Sequence, residues 1–187
     1  VTLEKACCNI LKYSDLPDSI ITPRTVHRLD KATHGLVLIA KTLSMASALG
    51  SAFEKREIFK SYTALIEGSP LLSFCEINIP INGKFASSKI EIIGSTKWPV
   101  FGTATLVKIH PKTGRKHQIR KQLLIHGNPV LGDTKYRISL KQPGKKNILM
   151  LHAYKINFSI AEKKYSYTAD PPLVFKNILK EKYLKIY

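Results

Sequence analysis

Apolar and polar positions along the chain alternate with two different periods, and each stretch can be assigned by which period it keeps. LEKACCNILK (3–12) has helical spacing and predicts a short amphipathic helix. HGLVLIAK (34–41) runs through branched residues without polar alternation, which predicts a strand buried on both faces. TLSMASALGSAFEKREI (42–58) predicts a helix, with Thr42 or Ser44 as its cap. FKSYTALIEG (59–68) alternates, with Tyr62, Ala64 and Ile66 on one side, as a strand would. Strands are expected near 74–79 and 89–93, and over FGTATLVKIH (101–110). PKTG (111–114) is turn chemistry, and 115–127 places Ile119, Leu123 and Leu124 at helical spacing before Gly127. A strand over 147–158, a hairpin through KKYSYTA and a helix over about 172–185 complete the chain. Strands with few crossover helices predict an α+β fold with a mostly antiparallel sheet.

Length changes this picture little: 187 residues favour one domain over 1–187. Charge changes it more. Thirty Lys and Arg against 13 Asp and Glu give +17, a self-repulsion that a polyanion would relieve, so RNA or DNA is the expected partner. No run approaches a membrane span, and none reads as a signal peptide. Cys7, Cys8 and Cys75 form no C-x-x-C knuckle, and an odd count argues against a disulfide framework, so a reduced, cytoplasmic protein is expected. The six histidines do not pair at i, i+3 or i, i+4, so no metal site is expected.

Candidate chemistry gathers at the ends of elements. HRLD (27–30) sets His27, Arg28 and Asp30 ahead of an apolar strand. A neighbouring guanidinium stabilises the ionised form of a carboxylate, which suits a nucleophile or base; a structural ion pair is the alternative. GRKHQIRK (114–121) contains Arg115, Lys116, His117, Arg120 and Lys121 and no acid. Such a stripe suits phosphate binding, with a solvated basic face as the alternative. HRLD is not a kinase catalytic loop: Leu29 displaces the aspartate, and no Asp-Phe-Gly follows to hold magnesium.

Four stretches together resemble one family. HRLDKATHGLVLIAK resembles the H-R-L-D-x-x-T-S-G-L-L-L-x-A-K signature of the RluA-like pseudouridine synthases. KSYTALIEG, TGRKHQIRKQLLIHGNPVLGDTKY and LMLHAYKINF are similar to three further motifs of that family, in its order. The resemblance implies a mixed, mostly antiparallel sheet flanked by helices with a central active-site cleft, and isomerisation of uridine in rRNA or tRNA without cofactor or metal. It implies catalytic roles for Asp30, for Tyr62 stacking on the extruded uracil, and for Arg120 pairing with the carboxylate. It places Leu151 beside the base and Arg28 in the RNA stack, with His27, Lys60, Arg115, Lys116 and His117 in the RNA-binding cleft. His34 stands where the family has serine. The family's opening strand and K-P-x-G loop have no counterpart ahead of LEKACCNILK, so a catalytic domain without that strand, and without an S4 domain, is expected as a monomer. The same residues also admit an RNA-binding or ribosome-assembly protein of this fold without turnover, or a basic structural protein of the ribosome.

Overall fold

The structure is a computed structural model and describes residues 2–70, 76–100, 102–138, 148–182 and 184–185. Cys75 and the expected strand starts at 74, 101 and 147 lie outside the described residues. Helix α1 (Leu3–Ile10) leads through β1 (Ser19–Thr25) and β2 (His34–Gly35) to β3 (Ile39–Thr42) and helix α2 (Leu43–Glu54). There follow β4 (Phe59–Glu67), β5 (Glu76–Asn78), β6 (Ser87–Trp98), β7 (Gly102–Pro111), helix α3 (Gln118–Ile125), β8 (Leu151–Ile160), β9 (Lys163–Thr168) and helix α4 (Leu173–Glu181).

Seven strands form one sheet in the order β2-β8-β4-β7-β6-β5, with β9 also paired to β8. Among the described strands only β2–β8 is parallel. The fold is therefore α+β with a mixed, mostly antiparallel sheet, as the element pattern and the resemblance implied. Strands β1 and β3 pair separately. A large core joins β4, β6, β7 and the start of β8 to α3 and α4. A smaller core packs Leu49 and Ala52 of α2 against Ile156 and Phe158 of β8.

Three expectations need correction. The segment 34–41 is two short strands rather than one: β2 joins β8 and β3 joins β1. Gly35, at φ +119°, lies so close to Ala153 that a Cβ would stand 2.2 Å from its carbonyl oxygen. The chain then passes from one sheet to the other, and most of its apolar side chains are half-buried instead of covered on both faces. Strand β4, read as one-sided, is covered on both faces because it is central; Thr63 and Leu65 are as buried as Ala64 and Ile66. Helix α3 starts at Gln118, not at 115, because His117 takes a left-handed conformation (φ 55°). Strand β1 was not foreseen: Pro23 argues against a central strand, yet β1 pairs only with β3, where proline is tolerated. The cap on α2 is Thr42, whose hydroxyl accepts from the Met45 N–H at 3.1 Å.

Candidate active site

One cleft of about 910 Å³ is lined by Asp30, Tyr62, Arg28, His27, Lys60, Arg115, Lys116, His117 and Leu151. These residues come from the loop after β1, from β4, from the loop after β7 and from the first residue of β8. Arg120 stands behind this wall, buried in α3, and reaches the cleft only through Asp30. Arg28, Arg56, Lys60, Lys112, Arg115 and Lys116 face two acids, Asp30 and Glu54, so the cleft is strongly cationic. Arg56 and Lys112 escaped the sequence reading: Arg56 lies in none of the family-like stretches, and Lys112 was read only as part of the turn at 111–114.

Local structure aims the side chains. The β4–β8 register slips where Ser61 pairs with Lys155 and Tyr62 with Ala153, leaving Tyr154 as an extra residue. A bulge of this kind re-aims a neighbouring side chain. Helix α3 is anchored by glutamines. Gln118 accepts from the Thr113 hydroxyl at 2.7 Å and donates to the Ser87 carbonyl at 3.0 Å, while the Gln122 amide oxygen accepts from the Ser88 hydroxyl at 2.7 Å. Buried polar side chains satisfied in this way lock one orientation of the helix, and with it Arg120.

The Asp30 carboxylate has Arg120 beside one oxygen and His117 near the other. Arg120 Nη1 lies 3.5 Å from Oδ2, and His117 Nε2 lies 3.6 Å from Oδ1. Arg120 makes its tight contacts elsewhere: Nε donates to Asp133 Oδ2 at 2.6 Å and Nη2 to Asp133 Oδ1 at 2.8 Å. Burial would raise the Asp133 pKa, but the Arg120 hydrogen bonds and the Tyr136 and Lys135 N–H groups outweigh it and lower it. Those same hydrogen bonds to Asp133, ahead of its opposing burial, raise the Arg120 pKa. The arginine is thus a fixed cation whose free edge faces Asp30. Asp133 was missed as a site residue; its signal was an acid directly after turn glycine Gly132 inside the third motif.

The aromatic and imidazole groups are neutral. Burial, then the Asp30 charge, pushes the Tyr62 phenol up to about 12. His27 adds no charge, since burial and then Lys60 lower its pKa to about 4 and its Nε2 accepts from the Leu38 N–H at 2.8 Å. Burial lowers the His117 pKa too, against the pull of Asp30. Lys60 sits 5.4 Å from the Phe53 ring centroid, its pKa lowered by burial. Among the described residues no group of His, Cys, Asp or Glu is placed to hold a metal ion, and no helix is long and apolar enough to cross a membrane.

The chain is similar to known proteins in sequence and in fold. The RNA pseudouridylate synthase family model matches residues 4–124. Ribosomal large subunit pseudouridine synthase C of Buchnera aphidicola subsp. Schizaphis graminum is 34% identical over 177 residues, covering 82% of this chain and 55% of the relative. tRNA pseudouridine synthase C of Haemophilus ducreyi is 31% identical over 160 residues, covering 72% and 65%. The chain spans about half the length of most of the curated relatives it matches. Among solved structures, human RNA pseudouridylate synthase domain containing 4 superposes with a TM-score of 0.73 at 24% identity, over 88% of this chain and 77% of that one.

Proposed function

Because the chain belongs to the RNA pseudouridylate synthase family, we propose that it isomerises uridine to pseudouridine in structured ribosomal or transfer RNA, with Asp30 as its catalytic carboxylate. The observation that carries this reading is the setting of Asp30: a carboxylate on the wall of a cationic cleft, with a locked guanidinium behind it. The N1–C1′ bond breaks, the uracil turns, C5 joins C1′, and the C5 proton leaves as N1 gains one. This change is redox-neutral, so it requires no oxidant or reductant. Addition to the base, attack at C1′ and removal of a sugar proton all start from the same ionised carboxylate.

Arg120 keeps that charge in place at low solvation cost because Asp133 has already fixed it. Tyr62 supplies a neutral platform for the extruded base, worth about 1–3 kcal/mol by stacking. That recovers much of the roughly few kcal/mol needed to unstack the nucleotide. Leu151 packs beside the base. Arg28, Lys60, Arg115 and Lys116 attract phosphate, giving an affinity that falls with salt. The relatives' names, ribosomal large subunit and tRNA, support both RNA classes as substrates, and the charge of +17 supports a polyanionic partner.

The test is tritium release from rRNA and tRNA carrying [5-³H]uridine, with Asp30→Asn alongside. The protein should release tritium, and the variant should fall by at least about a thousandfold while keeping its RNA affinity. Release that survives the substitution would remove Asp30 from the chemistry.

A further inference from the structure

His117 occupies a backbone conformation that non-glycine residues seldom adopt. It is a non-glycine residue in the left-handed region (φ 55°, ψ 31°), at the start of α3, and its side chain does not cap that helix. Left-handed backbone is uncommon for such a residue and persists where the surroundings over-determine it. Here they do. His117 Nδ1 is 2.8 Å from the Tyr136 hydroxyl, the two rings meet edge-on at 5.5 Å, and Nε2 faces Asp30 Oδ1 at 3.6 Å. Tyr136 is itself pinned: its N–H donates to Asp133 Oδ1 at 2.8 Å, and its ring lies 4.9 Å from Arg120 Cζ. Asp30, Arg120, Asp133, Tyr136 and His117 form a closed ring of contacts. The charged groups acting on the imidazole are Asp30, Arg120, Lys135 and Lys116.

We propose that Tyr136 is a positioning residue that sets the tautomer of His117, so that a neutral imidazole presents Nε2–H to the second oxygen of Asp30. The inference rests on the isomerase reading above for its consequence, not for its geometry. When the Tyr136 hydroxyl donates to Nδ1, that nitrogen is the acceptor and the proton must sit on Nε2. Arg120 then holds one carboxylate oxygen and His117 the other, which fixes the plane of the Asp30 carboxylate toward the base. Both contacts are long enough to tighten when substrate arrives.

Nitrogen-15 imidazole spectra of the free protein test the tautomer without any turnover. Wild type should show His117 protonated at Nε2, and Tyr136→Phe, which keeps the ring over Arg120, should shift His117 toward a tautomer mixture. Protonation at Nδ1 in wild type, or a spectrum unmoved by Tyr136→Phe, would overturn the proposal. Single-turnover tritium release tests the consequence. Tyr136→Phe should lower the rate about 10- to 100-fold with RNA affinity little changed, and His117→Leu should lower it by a similar factor at saturating RNA. His117→Gln, whose side-chain N–H can stand in for Nε2–H, should recover all but about fivefold, and adding Tyr136→Phe to it should cost little more. Full additivity of those two changes would also overturn it. An inactive wild type with the expected spectra would sink the isomerase reading and leave the tautomer assignment standing.

Discussion

In the seven-stranded sheet, Ala64, Leu65 and Ile66 of β4 and Leu106, Val107 and Ile109 of β7 have no exposed surface. In the N-terminal unit that delivers Asp30, Ile10, Tyr13, Leu16 and Ile21 are each more than half exposed, and α1 buries only Cys7. One side of the site is set in a close-packed core; the other is held by a few discrete contacts. Among them are the Glu4 carboxylate accepting from the Thr25 N–H and hydroxyl, the two-residue pairing of β2 with β8, the Leu36 N–H donating to the Ala153 carbonyl at 3.0 Å, and the ion pair of Asp30 with Arg120. The two halves divide the work: the close-packed half holds Tyr62 and Arg120, and the lighter half brings the carboxylate to them.

The contrast predicts where single substitutions are costly. The largest effect should follow Asp133→Asn, which leaves the buried Arg120 guanidinium without its charged partner; a loss of about 3–5 kcal/mol is expected from urea unfolding. A cost under about 1 kcal/mol would mean that Asp30 alone can compensate Arg120. Next comes Gly35→Ala, which puts a methyl against the Ala153 backbone at positive φ. It should destabilise by roughly 2–3 kcal/mol, and amide exchange should rise in β2 and the Asp30 loop while β4 and β7 stay protected. Uniform loss of protection would show that the two regions unfold as one.

A smaller effect depends on pH. Burial depresses the folded pKa of His27 from 6.5 to about 4, so the unfolded chain takes up the proton first. Stability from this group is complete above about 6.5 and declines as pH falls through that window toward 4. His27→Gln, able to accept from the Leu38 N–H, should reduce the wild-type loss between pH 7 and 4.5 by on the order of 1–2 kcal/mol. Equal acid sensitivity in both proteins would assign the effect to other groups. Smallest of all, Ile21→Lys on exposed β1 should change stability by less than about 0.5 kcal/mol, whereas Leu106→Ala in β7 should cost about 2–5 kcal/mol.

Much of this molecule could be read from the order of its residues. The helical spacing and cap of α2, the turn at 111–114 and the apolar runs of β7 and β8 depend on neighbours a few positions away, so periodicity reports them directly. The four family-like stretches named Asp30, Tyr62 and Arg120, whose side chains or contacts meet at one cleft. Other features stayed hidden because their causes lie far along the chain. The split of 34–41 arises from Ala153, whose backbone leaves no room beside Gly35. Gln118 and Gln122 read as the polar face of a helix, yet they are buried because Ser87, Ser88 and Thr113 satisfy them.

Residue order alone specified which side chains were available: a carboxylate beside an arginine, a tyrosine on a strand, a basic stripe and an apolar frame to support them. It did not specify which charge would answer which. Asp30 and Arg120 are 90 positions apart, and the arginine's tight bond goes to Asp133, which packing brings within 2.6 Å. Local preference acts over a turn or two of chain, whereas the state of a buried ion pair depends on every group that excludes water from it, and those groups are assembled only on folding.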